Sequence, residues 1–146
     1  MSQPHIITPY LIGADRAFSR LRPLIHSTLP SYSGVSMYEL AISPNNLTPG
    51  LKAYVGQGSL LALDEGMTVL PQMNCGGLCK VYTGLNCPEN WTDESPLPDE
   101  GKREWLTNFF HGWHKQVRDI IMASEEDNVV TRRIWQFDPD LKGKRT

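Results

Sequence analysis

Apolar and polar positions change period along the chain. From Val35 to Leu85 the apolar residues fall in short runs bounded by turn residues: Val35–Ile42, Ser59–Leu63, Met67–Met73 and Leu78–Leu85. Asp64-Glu65-Gly66 and Asn74-Cys75-Gly76-Gly77 join the last three, and such small, φ-permissive linkers predict hairpins and an antiparallel meander. In the first run Val35, Met37, Glu39 and Ala41 alternate with Ser36, Tyr38, Leu40 and Ile42, so both faces carry apolar residues and the strand is expected to be covered on both sides. Later the period lengthens. Trp105, Phe109, Trp113, Val117 and Ile121 recur every fourth residue, with Leu106, Phe110 and Ile120 alongside, which predicts a helix running to about Ala123, interrupted at Gly112 and lying on the sheet. Val129–Phe137 alternates again as a last strand.

The remaining segments are read from their punctuation. An apolar run from Ile6 to Ile12 suggests a strand that the Gly13–Phe18 turn delivers into a short helix. Proline is tolerated in a first helical turn, so Pro23 places that helix start between Ser19 and Arg22. Pro30, Ser31, Ser33 and Gly34 mark a loop, and Leu51–Val55 one helical turn. Asn86–Arg103, rich in proline and acid, reads as a solvated connector, and the polar tail Asp138–Thr146 is expected to be mobile. The fold class that follows is α+β, a mostly antiparallel sheet backed by helices. The chain contains no internal repeat.

Composition narrows the function. A chain of 146 residues with 40% hydrophobic and 21% charged residues can bury one sizeable core. A net charge of -2 argues against nucleic acid or an anionic membrane as the main partner. No apolar run reaches the roughly 20 residues of a membrane span, and the opening Met-Ser-Gln-Pro-His has no signal-peptide character, so a cytoplasmic location is expected. Cys75, Cys79 and Cys87 are odd in number and read as free thiols of a reducing compartment. The sequons at Asn46 and Asn90 are then chance matches. Cys75, Cys79, His111 and His114 fit no compact zinc spacing, so no metal site is assigned. Neither a Ser-His-Asp arrangement nor paired carboxylates stand out, and no catalytic residue is assigned.

The stretch carrying chemistry is Gly13-Ala14-Asp15-Arg16-Ala17-Phe18-Ser19-Arg20-Leu21-Arg22. Read alone, it is a strand-to-helix turn with Ser19 as N-cap and Arg22 as a surface charge. A turn of this kind also brings backbone N–H groups against a phosphate. It resembles the G-A-D-G-x-x-S-x-x-R signature of class A flavoprotein monooxygenases, the family of para-hydroxybenzoate hydroxylase and the tetracycline-inactivating monooxygenases. Gly13, Ala14, Asp15, Ser19 and Arg22 match; Arg16 stands where the family has glycine. Tyr32-Ser-Gly-Val, Gly56-Gln-Gly-Ser, the Gly76-Gly77 hairpin, Cys79-Lys-Val-Tyr-Thr-Gly, Pro88-Glu-Asn-Trp, Phe110-His-Gly-Trp and Arg133-Ile-Trp resemble the family's middle, substrate-binding portion in order and spacing.

The resemblance implies FAD as cofactor, NAD(P)H as co-substrate, and hydroxylation with O2 of a small aromatic or polyketide-like molecule. It implies that Gly13, Asp15, Arg16, Ser19 and Arg22 lie on the dinucleotide side. A glycine at position 16 would adopt positive φ and let the backbone approach the pyrophosphate; an arginine does neither cheaply, though its guanidinium can pair with a phosphate. Hairpin spacing puts Ser59, Leu61, Leu70, Gln72, Lys80 and Tyr82 at positions lining the substrate pocket of the tetracycline-inactivating relatives. Taken without the resemblance, Leu61 and Leu70 are core and Lys80 is solvated.

No Gly-x-Gly-x-x-Gly fingerprint and no Gly-Asp-Ala-Ala-His-type segment occur in the chain. The expected organisation is a remnant of the FAD-binding strand-turn-helix over 1–24, a substrate-binding-like domain over 25–137 and a tail over 138–146. Such a truncated chain is expected to be inactive alone, with a complementing FAD-binding polypeptide as partner. The alternatives are a non-catalytic module that binds a small molecule or a partner, and a fragment with no independent role.

Overall fold

The computed structural model describes residues 7–141. Contacts divide the chain into two compact units, Gly34–Ile134 and a second formed by the residues up to Ser33 with those from Trp135 onward. The boundaries expected from sequence lay at 24/25 and 137/138.

A five-stranded sheet organises the larger unit. Its strands are β1 (Ser31–Ile42), β2 (Ala62–Asp64), β3 (Met67–Met73), β4 (Cys79–Asn86) and β5 (Val130–Gln136), in the order β2-β3-β4-β1-β5. The β2-β3-β4 meander is antiparallel, and β1 pairs antiparallel with β4. β3 coincides with its predicted run. Ser59–Leu63 does not form a full strand: only Ser59 bridges to Gln72 before β2 begins at Ala62. The expected loop around Gly34 is likewise replaced by strand, since β1 already starts at Ser31.

One face of this sheet is the core. Opposite residues of an antiparallel pair share a face, so Ser36, Tyr38, Leu40 and Ile42 of β1 stand with Leu85, Thr83, Val81 and Cys79 of β4. All eight are buried. Leu106, Phe110, Val117, Ile120 and Ile121 complete the cluster from the helices. The other face, with Val35, Met37 and Glu39, is only half-buried, which corrects the expectation that β1 is covered on both sides.

The apolar stripe is shared by two helices, α3 (Lys102–Phe109) and α4 (Lys115–Met122), parted by a turn around Gly112. Gly101 precedes α3 and has no side chain to cap it. The carboxylate of Glu126 takes over, accepting the Lys102 N–H and the Arg103 Nε–H at 2.7 Å. A shorter helix, α1 (Pro49–Val55), is capped by Thr48, whose hydroxyl accepts the Leu51 N–H.

The stretch 86–103 is more than a solvated connector. It contains a turn of helix at Trp91–Glu94, and Trp91 packs edge-on against Tyr38 and Phe109 while Leu97 packs on the core. Its acids and prolines hid one large apolar anchor. Arg133 on β5 donates to the Thr92 hydroxyl and to the Asp93 carboxylate, tying this segment to the sheet.

In the smaller unit, residues 7–12 form no strand, which corrects the sequence reading; Ile6 lies outside the described residues. Ile7 and Ile12 are 99% and 86% exposed. An apolar run becomes a strand only when another strand accepts its N–H and C=O groups, and none does so here among the described residues. Phe18 and Tyr32 pack edge-on against Trp135. Asp138 begins a closing turn, its carboxylate accepting the Asp140 N–H and its carbonyl the Leu141 N–H. The rest of the predicted tail, 142–146, lies outside the described residues.

Candidate functional site

The motif turn and the open face of the sheet are the two places where the sequence put chemistry. In the turn, Arg16 has φ 70°, and it is the one non-glycine among the described residues with positive φ. The arginine therefore holds the backbone conformation a glycine would favour. Asp15 Oδ2 accepts the Arg20 N–H at 2.8 Å. Hydrogen bonds from the Ser19 hydroxyl and the Arg20 N–H hold the Asp15 carboxyl below its ordinary range. Ser19 Oγ accepts the Leu21 and Arg22 N–H groups, at 3.2 and 3.1 Å, and a single 3-10 turn follows over Arg22–Leu24 with Leu21, not the expected Ser19, at its N-cap. Arg22 folds back, donating to the carbonyls of Ala17 and Arg16 and lying over the Phe137 ring at 4.1 Å. Asp15, Ser19 and Arg22 thus close their own turn, while the Arg16 side chain is exposed and Gly13 sits against Leu21.

The register sets the open face in transverse rows. Met37, Gly84, Thr68 and Leu63 form one, Glu39, Tyr82 and Leu70 the next, and Ala41, Lys80, Gln72 and Ser59 the third. Five of the six positions chosen from sequence spacing, Ser59, Leu70, Gln72, Lys80 and Tyr82, are therefore brought onto one face. Leu61 lies between the Ser59 bridge and β2 and is 60% exposed. Leu70, Lys80 and Tyr82 are half-buried.

Glu39 sits at the centre of this face and sequence reading passed over it. Its Oε1 accepts Lys80 Nζ at 2.8 Å and its Oε2 accepts Arg132 Nε at 2.8 Å. Three strands are linked by one carboxylate that is itself only 15% exposed. The Lys80 bond, then the Arg132 bond, pull the Glu39 carboxyl below its ordinary range. The residues lie 41 and 93 positions apart, so no local spacing could reveal the trio. The one available signal was a lone charged residue in an otherwise uncharged strand.

Beside the charged row the face sinks. A depression of about 370 Å³ is lined by residues that include Val35, Met37, Leu63, Asp64, Thr68, Gly84 and Asn86. Gly84 makes the floor: a Cβ built there would lie 2.5 Å from Thr68 Cγ2. Thr68 is fixed in place by its hydroxyl, which donates to the Ala62 carbonyl at 3.1 Å.

Beneath the face, Tyr38 is 1% exposed and packs among Trp91 and Trp105. Its hydroxyl has no partner among the described residues, and burial pushes its pKa up to about 12. Cys75 and Cys79 form no disulfide among the described residues, with Cys79 in the core and Cys75 exposed. Among the described residues no group of three or more His, Cys, Asp or Glu side chains could hold a metal ion. His114 instead caps α4, accepting the Gln116 N–H. No described helix is long and apolar enough to cross a membrane.

Several solved structures share this fold. The chain superposes on HpxO of Klebsiella pneumoniae, solved with FAD and uric acid, at a TM-score of 0.61 and 20% identity, covering 84% of this chain and 30% of that one. It superposes on 2,6-dihydroxypyridine-3-hydroxylase of Arthrobacter nicotinovorans at a TM-score of 0.66 and 13% identity, covering 88% and 38%. The fold is therefore that of one part of these proteins. In sequence the chain is similar to the chloroplastic zeaxanthin epoxidase of an Oncidium hybrid cultivar, 31% identical over 134 residues, which is 88% of this chain and 18% of the epoxidase. It spans about a fifth of the length of the curated relatives it matches. No protein-family model matches. The chain is thus similar in sequence to part of zeaxanthin epoxidases and in fold to part of these solved structures.

Proposed function

We propose that this chain is the substrate-side portion of an FAD-dependent monooxygenase that hydroxylates a small molecule with NAD(P)H and O2, and that it is inactive by itself. The observation that supports this reading is the open sheet face, where positions picked from hairpin spacing stand together around Glu39, Lys80 and Arg132. When bound, FAD supplies the oxygen chemistry, and the surrounding protein positions the substrate and excludes water. In this chain those tasks fall to the sheet face.

The residues present do not make a flavin site on their own. Asp15, Ser19 and Arg22 are engaged in their own turn, and no Gly-x-Gly-x-x-Gly segment offers an ADP cradle. The flavin would be held largely by other parts of the protein, on the same or a complementing polypeptide. Cys75 and Cys79, which form no disulfide among the described residues, fit a reducing compartment such as the cytoplasm.

Purified chain scanned for flavin absorbance and titrated with FAD is expected to show no tight, stoichiometric binding and no NAD(P)H consumption. Tight binding with NAD(P)H oxidation would overturn the proposal that the chain is incomplete. The same pairing of an intact face with an incomplete flavin site favours a second reading, a non-catalytic binding module. An aromatic ligand would then raise the melting temperature by mass action, and substitution of Leu70 or Tyr82 would remove the shift.

A further inference from the structure

We propose that the junction between α3 and α4 is a proton-sensitive device: the neutral His114 imidazole holds the start of α4, and its protonation releases the first turn of that helix. The device lies apart from the open sheet face and does not depend on a ligand there.

Hydrogen bonding fixes which form of each ring fits. At the N-cap of α4, His114 Nδ1 accepts the Gln116 N–H at 3.4 Å, while the His114 carbonyl accepts the Val117 N–H at 3.0 Å. Only a ring with a lone pair on Nδ1 can do this, because both nitrogens of a protonated imidazole are donors. His111, three residues earlier, pairs its Nδ1 with the Asn108 carbonyl at 3.0 Å. A carbonyl only accepts, so that ring donates and keeps its bond in either charge state. The two neighbouring histidines thus answer a proton differently.

Charge acts in the same direction. The first turn of α4 contains no acid, so a protonated His114 places a cation at the positive end of the helix, next to Lys115 and one turn from Arg118. Asp119, the one acid of α4, is already paired with Lys115 at 2.6 Å. The helices packed on α4 bring Lys52 from α1 and Lys102, Arg103 and Glu104 from α3, with Arg103 paired to Glu126. Among the described residues none of these groups forms an ion pair with His114. The ring is exposed, so bulk pH reaches it directly, and histidine is the side chain whose charge changes between about pH 5 and 8.

The helix held in this way belongs to the core. Val117, in the first turn, is buried with Ile120 and Ile121, so release of that turn loosens a core residue. Beyond the helix the chain returns to the sheet, the Glu125 N–H donating to the Ala41 carbonyl at 2.7 Å.

The test is hydrogen exchange at the Gln116, Val117 and Arg118 amides of the whole chain, corrected for the intrinsic dependence on pH. From pH 8 to pH 5.5 the wild type is expected to lose protection there by roughly threefold or more, the effect of a missing cap, while the Leu106 amide inside α3 keeps its protection. His114→Asn supplies an acceptor that takes up no proton, so its protection should stay level across the range. His111→Asn should still show the wild-type loss. Level protection in the wild type, an equal loss in His114→Asn, or a loss abolished by His111→Asn overturns the proposal.

Discussion

Replacing Gly84 by alanine tests whether the floor of the depression is set by close packing. The added Cβ would lie 2.5 Å from Thr68 Cγ2 and 3.4 Å from Met37 Cε. Carbon atoms settle at about 3.5–4.0 Å, so the first contact is about 1 Å too short. Thr68 cannot turn away freely, because its hydroxyl is bonded to the Ala62 carbonyl and a rotation would break that bond. Overpacking of this kind costs about 1–3 kcal/mol, and the loss of glycine's unfolded-chain freedom returns about 0.4–1 kcal/mol. The net expectation is a loss of about 1–2 kcal/mol, or a melting temperature lower by about 4–8 °C at roughly 4 °C per kcal/mol for this chain length. Thermal and urea unfolding read it directly. Thr68→Ser deletes the offending methyl and keeps the hydroxyl, so the double variant should recover most of the loss in a double-mutant cycle. A Gly84→Ala chain within about 0.5 kcal/mol of the wild type, or a double variant that shows no recovery, would refute the packing argument.

Three further outcomes are expected. Arg16→Gly should relieve the left-handed backbone at φ 70°, tightening the turn by about 0.5–1 kcal/mol; slower hydrogen exchange at the Arg20 and Arg22 amides is the readout, and unchanged exchange would count against the strain. Because the Glu39 carboxyl is held below its ordinary value of 4.5, its stabilisation is present above that pH and disappears as pH falls through the folded value, so the stability gap between wild type and Glu39→Gln should be widest above about pH 5 and close in acid. For Tyr38, with its pKa near 12 against an ordinary 10.0, the unfolded chain loses its proton first and stability falls as pH rises from 10 toward 12; Tyr38→Phe should remove that part of the alkaline loss and cost little at neutral pH, since the hydroxyl has no partner among the described residues, which alkaline unfolding curves of the two proteins will decide.

Local physics alone determined much of this protein. Met67–Met73 alternates between turn residues, and a strand of that extent formed because each side chain's face is fixed by a period of two. The same parity put Leu70 with Gln72 and Lys80 with Tyr82, and the β3–β4 register then set the two pairs on one face. The every-fourth-residue stripe from Trp105 to Ile121 became helix, and it broke near Gly112 as its composition foretold. What the tertiary structure decided depended on partners distant in the chain. Residues 7–12 carry a strand's composition but pair with no strand among the described residues, and a ladder needs a second strand to complete its hydrogen bonds. Trp91 left a stretch that reads as solvated because an aromatic cluster was there to receive it. Glu39, Lys80 and Arg132 became one charged centre through register, since only the order β4-β1-β5 brings those three strands side by side. A sequence states which face a residue occupies, and the pairing of strands states which residues share it.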